Sequence, residues 1–152
     1  MGSSADAVSL DNSDVPTVLV IEDDLDNQLL LKYTLNMFEY RSIIVSDGEM
    51  GLYLAKKHQP DIILLDIVLA KTSGLKLAFL FKSEKATQNI PIIAVTALVR
   101  KQEKELIYSS GCDGYLSKPY LLDDLKSIIE LQLKIAKSCK FYRNNFRYSF
   151  GF

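Results

Sequence analysis

Short apolar runs recur along the chain at Val18–Ile21, Ile43–Val45, Ile62–Leu65 and Ile92–Val95, with a weaker fifth at Tyr115–Leu116. Each is too short for a helix, and the clearer ones are rich in Val and Ile, which predicts strands. Between them the spacing becomes helical. Leu31, Leu35 and Phe38 recur at intervals of four and three, and Met50, Leu54 and Lys57 carry the rhythm through a second helix. Leu122, Leu125, Ile129, Leu133 and Ala136 mark the fifth. Asp26 and Ser73 are expected to cap the first and third helices. Gln59-Pro60 is expected to end the second, because the residue before proline is pushed out of the α region. Five strands alternating with five helices, the strands apolar on both faces, predict one doubly wound α/β domain with a parallel sheet covered on each side. Right-handed crossovers leave few topologies for it.

Composition narrows the function classes. The chain has 152 residues, 48% of them hydrophobic, with 18 Lys+Arg against 19 Asp+Glu, so it reads as globular and close to neutral. A net charge of −1 argues against a nucleic-acid-binding domain, which usually runs strongly basic. No apolar run approaches the ~18 residues a bilayer span needs. Neither a signal-peptide pattern nor a myristoylation pattern is expected at the start, where Asp6 replaces the Ser or Thr of the latter. Cys112 and Cys139 form no framework or metal spacing, which points to a reducing, cytoplasmic setting. The neutrality is a cancellation. Residues 1–16 hold three acids and no base and are expected to form a flexible arm, whereas residues 137–152 hold four bases, no acid and six of the fifteen aromatics.

Chemistry gathers at the strand ends. Glu22-Asp23-Asp24 follows the first strand, Asp66 the third, Thr96 the fourth and Ser117-Lys118-Pro119 the fifth. Open α/β sheets bind ligands outside the carboxyl ends of their strands, so the topology should bring Glu22, Asp23, Asp66, Thr96 and Lys118 together. Three carboxylates in a small volume need positive compensation. Lys118 supplies one charge, and one divalent cation would supply the rest. Hard oxygen ligands without His or Cys select Mg2+ or a similar ion.

Other chemistries fit less well. A phosphate-bearing cofactor would want a Gly- or Ser-rich turn after the first strand rather than three acids. A phosphatase working through an aspartyl phosphate would want a second acid near the nucleophile, and the position two after Asp66 is Val68. The lone histidine, His58, sits in the polar end of a helix and is expected at the surface. What fits is a carboxylate that accepts a phosphoryl group, held by a cation, a hydroxyl and an ammonium.

These residues resemble the receiver domain of two-component response regulators. The resemblance is carried by Val18-Leu19-Val20-Ile21-Glu22-Asp23-Asp24, Asp61-Ile62-Ile63-Leu64-Leu65-Asp66, Ser73-Gly74-Leu75, Ile90 to Ala97 and Gly111 to Pro119, in family order and spacing. It implies a flavodoxin-like sheet of order 2-1-3-4-5 with five helices and a receiver domain over 17–138, beyond which the composition sets apart a basic, aromatic tail over 139–152. It also implies that Asp66 is the phosphoacceptor, with Mg2+ bound by Asp23, Asp66, the backbone carbonyl of Val68 and, through water, Glu22. Lys118 would pair with a phosphoryl oxygen, across a cis Lys118–Pro119 peptide. Thr96 and Tyr115 would form the switch that alters the surface of the fourth helix, fifth strand and fifth helix. The implied partners are a sensor histidine kinase or a His-containing phosphotransfer protein, and an unidentified downstream protein. No DNA-binding output domain is expected, and a homodimer through the switch face is one alternative for the output.

Such a protein catalyses only its own phosphorylation and dephosphorylation. The competing class is a phosphorylation-independent binding module, whose mark would be loss of Asp23, Asp66 or Lys118; all are present. Two departures stand out. Position 70 is Ala where the family commonly has Pro, so the loop after the third strand is expected to be more mobile. Val68 and Leu98 are apolar where rapidly self-dephosphorylating members carry polar groups, which predicts a phosphoryl lifetime of minutes to hours. Leu121, Ile128, Leu131 and Ile135 lie beyond the main stripe of the fifth helix, as core or as a partner face. For the tail, packing back on the domain and docking on a partner are both open, with RNA or membrane contact a weaker third.

Overall fold

The computed structural model describes residues 14–97 and 100–146. Its strands are β1 (Thr17–Ile21), β2 (Arg41–Val45), β3 (Ile62–Asp66), β4 (Ile92–Thr96) and β5 (Gly114–Ser117). Its helices are α1 (Leu25–Met37), α2 (Gly48–His58), α3 (Gly74–Ser83), α4 (Lys101–Ser109) and α5 (Leu122–Phe146). All strand pairs are parallel, in the order β2-β1-β3-β4-β5. The alternation of apolar runs and helical spacing anticipated the five strands and five helices, and the family resemblance implied their order.

The two faces of the sheet bury different helices. Leu19, Ile21, Ile63, Leu65, Ile92 and Ala94 face a cluster with Ala55 of α2, Leu77 and Phe81 of α3, and Ile107 of α4. Val18, Val20, Ile62, Leu64, Ile93 and Val95 face Leu31 and Leu35 of α1 and Leu125 and Ile129 of α5. Period-two alternation explains the division, and burial on both faces explains why the central strands read as continuous apolar runs.

Three details depart from the sequence reading. Asp24, not Asp26, caps α1: its carboxylate accepts the Asn27 N–H at 2.9 Å, and Asp26 lies in the first turn. In a run of consecutive acids the cap falls where the backbone is still extended, and Asp24 has φ −84° and ψ 124°. Asp24→Ala is accordingly expected to cost about 1 kcal/mol in urea unfolding, and Asp26→Ala only a few tenths of that through the helix dipole. Ser73 does hold the N-cap position of α3, without a side-chain cap bond.

The second departure is the inward face of α2, which consists of Gly48, Gly51 and Ala55 while Met50 is exposed. The helix lies so close to β1 that a Cβ on Gly51 would come within 2.6 Å of Ile21 Cδ1. The third concerns Gln59, which ends α2 before Pro60 as expected but in the left-handed region, at φ 48°. Its side-chain amide caps the carbonyls of Ala55 and Lys56.

Residues 139–146, set apart by composition, continue α5 without a break. From Lys137 to Asn145 every side chain is exposed, so this part of the helix projects beyond the core. Residues 1–13 of the arm, Leu98, and residues 147–152 of the tail lie outside the described residues. Cys112 is buried and Cys139 exposed, both free. Burial holds the Cys112 thiol above its ordinary value, which keeps it protonated.

Candidate functional site: an acid pocket at the carboxyl edge of the sheet

Parallel strands end together, and this places the site. Ile21 pairs with Leu65, Asp66 with Val95, and Thr96 with Ser117, so the residues that follow share one edge. Glu22 leaves β1 with its N–H on the Val45 carbonyl at 3.0 Å, and Lys118 leaves β5 with its N–H on the Thr96 carbonyl at 2.8 Å. The carboxylates of Glu22, Asp23 and Asp66 offer ligand oxygens within 4.8 Å of one another. Lys118 Nζ reaches both buried acids, at 3.4 Å from Asp66 Oδ2 and 3.5 Å from Glu22 Oε2. The Lys118–Pro119 peptide is cis.

The electrostatics are unbalanced. Glu22 and Asp66 are 3% and 7% exposed, and the Lys118 ammonium pairs with both while Asp23 adds a third carboxylate to the cluster. Burial foremost, and then Asp66, push the Glu22 carboxyl above its ordinary value; Asn27 and Lys118 pull the other way. A buried acid pair of this kind holds its full negative charge only with further positive charge. The donor set is all oxygen, which suits a small hard dication.

Thr96 is fully buried at the end of β4. Tyr115 lies on β5 opposite Ala94, and alternation puts it on the same face as Thr96. Its ring meets Tyr108 of α4 edge-on at 6.1 Å, and Lys104 Nζ stands 5.2 Å above it. Val68 is exposed at the mouth of the site, and its N–H donates to Asp66 Oδ1 at 2.9 Å. His58 is at the surface.

Several contributors lie outside the residues that the strand ends single out. Asn27 Nδ2 donates to Glu22 Oε1 at 2.9 Å, and Gln28 Nε2 donates to the Glu22 carbonyl. An amide one helical turn after an acidic strand end is a usable signal for such a bond. The Ala70 N–H donates to Asp23 Oδ2 at 2.7 Å. Beside the acids, a cavity of about 460 Å³ opens between α1 and the β5–α5 loop, lined by Leu30, Leu31, Pro119, Tyr120 and Leu122.

The sequence model of the response regulator receiver domain matches residues 18–130. The chain belongs to the response regulator receiver family. It is 38% identical over 103 residues to the polar-differentiation response regulator DivK of Brucella ovis, covering 68% of this chain and 84% of that one. DivK of Brucella melitensis gives the same figures. Among solved structures, the receiver domain of the Pseudomonas aeruginosa sensor histidine kinase PA1611, with a magnesium ion coordinated in its active-site cleft, matches at TM-score 0.74 and 27% identity. That match covers 79% of this chain and 98% of the other. A response regulator described as putative from Chloroflexus aurantiacus matches at TM-score 0.75 and 25% identity, with the same coverage. This receiver domain is thus a two-component signalling module whose acidic cluster suits a metal site. Among its described residues no helix is long and apolar enough to cross a membrane.

Proposed function

We propose that this receiver is phosphorylated on Asp66 in a Mg2+-dependent reaction and signals through contacts that change with phosphorylation. The observation that carries this reading is the Asp66 carboxylate at the strand edge, 3.4 Å from Lys118 Nζ and clustered with Glu22 and Asp23. Glu22, Asp23, Asp66 and the Val68 carbonyl would hold the ion. When bound, Mg2+ supplies charge neutralisation for the phosphoryl oxygens and for the acid cluster. The magnesium in the PA1611 receiver supports that assignment.

In the reaction an Asp66 oxygen attacks phosphorus while the bond from phosphorus to the donor nitrogen breaks. The imidazole leaves with the electron pair, and an acyl phosphate forms. Lys118 neutralises one phosphoryl oxygen, and Thr96 donates its hydroxyl to another. The Val68 N–H on Asp66 Oδ1 fixes the carboxylate plane, leaving Oδ2 on the Lys118 side. Movement of Thr96 would then be read by Tyr115 and passed to α4 through Tyr108 and Lys104.

Two surfaces suit partners. Leu25, Leu29, Tyr33 and Met37 recur every four residues and are all more than half exposed on α1, the helix whose Asn27 reaches Glu22 of the acid pocket. We assign this stripe to the phosphodonor, a histidine kinase or phosphotransfer protein. Exposed Leu131 and Ile135 on α5 are assigned to the output side, where a downstream protein or a second copy would bind. Incubation with Mg2+ and acetyl phosphate should add one phosphoryl group by intact mass. No addition would sink the proposal.

A further inference from the structure

Both aspartates of the acid pocket are held by backbone N–H groups of one loop, residues 67–73 between β3 and α3. Val68 donates to Asp66 Oδ1 at 2.9 Å, and Ala70 donates to Asp23 Oδ2 at 2.7 Å. The first bond is local. The second spans 47 residues and ties the tip of the loop to the end of β1.

The base of the loop is firmly built. Val68 bridges Ser73, and the Gly74 N–H donates to the Ile67 carbonyl at 3.1 Å. A Cβ on Gly74 would lie 2.5 Å from Ile67 Cα and 2.6 Å from the Asp66 carbonyl oxygen, so the closure requires glycine. Leu69 packs against the core cluster shared by α2, α3 and α4. Between these anchors the Ala70 N–H is aimed at Asp23. A bond from N–H to an ionised carboxylate at this distance belongs to the stronger, charge-assisted class. It engages one carboxylate oxygen and leaves the other to a ligand.

We infer that the backbone N–H of Ala70 is a positioning group for Asp23, coupling cation binding in the acid pocket to order in the β3–α3 loop. The inference rests on the reading that the pocket takes Mg2+. Two orientations of the carboxylate would otherwise compete; the N–H selects one before the ion arrives. By reciprocity, an ion that holds Asp23 also holds the loop through it. The surface of the loop therefore changes with cation occupancy, before any phosphoryl transfer.

The test uses the full chain and Mg2+ alone, with affinity measured by calorimetry and amide exchange by mass spectrometry. Ala70→Pro removes the N–H, and Ala70→Gly keeps it while loosening the loop. Affinity should fall about three- to tenfold in Ala70→Pro and stay within about twofold of wild type in Ala70→Gly. Mg2+ should slow amide exchange at residues 69, 71 and 72 in the unmodified protein, and clearly less in Ala70→Pro, where the Val68 carbonyl alone would tie the loop to the ion. Equal losses in the two variants would assign the effect to a general disturbance of the loop backbone and overturn the proposal. So would an unchanged affinity in Ala70→Pro, or exchange at residues 69, 71 and 72 indifferent to Mg2+. A wild-type protein that binds no Mg2+ would instead remove the functional reading itself, and this inference with it.

Discussion

Asp66→Asn should abolish phosphoryl acceptance from acetyl phosphate and, in the same protein, raise the stability of the metal-free fold. The first effect is chemical. An amide oxygen is a poor nucleophile toward phosphorus, and incorporation should drop to background, about 100-fold or more below wild type. The second is electrostatic. Asp66 is one of the causes that push the Glu22 carboxyl upward, next after burial. Asparagine has nearly the same shape, and its carbonyl can still accept the Val68 N–H, but it carries no charge. Thermal unfolding in EDTA should therefore show a higher Tm for the variant, and added Mg2+ should stabilise it less than wild type. Undiminished phosphorylation, or a lower Tm in EDTA, would contradict this account.

Acidification should stabilise the metal-free protein and weaken its hold on Mg2+, with Glu22 as the main cause. Its carboxyl stands above the ordinary value of 4.5 in the folded state, because of burial first and Asp66 second. Between 4.5 and that raised value the folded protein binds more protons than the unfolded chain. Stability then falls as pH rises through this window and recovers as pH falls through it. The cation works in the opposite direction, since it requires the ionised carboxylates. Below the folded pKa of Glu22, the affinity should fall by up to about tenfold per pH unit for the proton displaced. Glu22→Gln should flatten both trends. Melting curves in EDTA, and Mg2+ titrations, over a pH series in wild type and variant provide the check. A wild-type Tm that falls steadily on mild acidification would oppose the argument.

The parts of this molecule that sequence made legible are those set by alternation and by strand direction. Val and Ile runs specify β1, β3 and β4 because both faces of these strands are buried. Parallel strands bring Glu22, Asp66, Thr96 and Lys118 to one edge whatever the loops do. Depth of packing was less legible. Met50 and Leu54 had the apolar rhythm on α2, yet Gly48, Gly51 and Ala55 face the sheet, because the space over β1 admits only small groups. The cap of α1 was expected at Asp26, but several acids compete there and local backbone geometry selects Asp24.

The continuation of α5 to Phe146 was hidden by a change in composition that lowers helical preference but brings in no helix breaker. Lys, Arg and Phe follow Leu and Ile there, but no Gly or Pro interrupts residues 120–150. The Ala70 bond to Asp23 is of another kind. Its donor is a backbone N–H, which any residue except proline supplies, so the side chain gives no sign of it.

The central claim, an acyl phosphate on Asp66, is tested most directly by borohydride reduction of the protein after incubation with acetyl phosphate and Mg2+. Reduction converts an aspartyl phosphate to homoserine, which peptide sequencing by mass locates. Homoserine at position 66, absent when EDTA replaces Mg2+, is the predicted result. Homoserine at Asp23 or elsewhere, or none in a protein that has gained a phosphoryl group, would contradict the account.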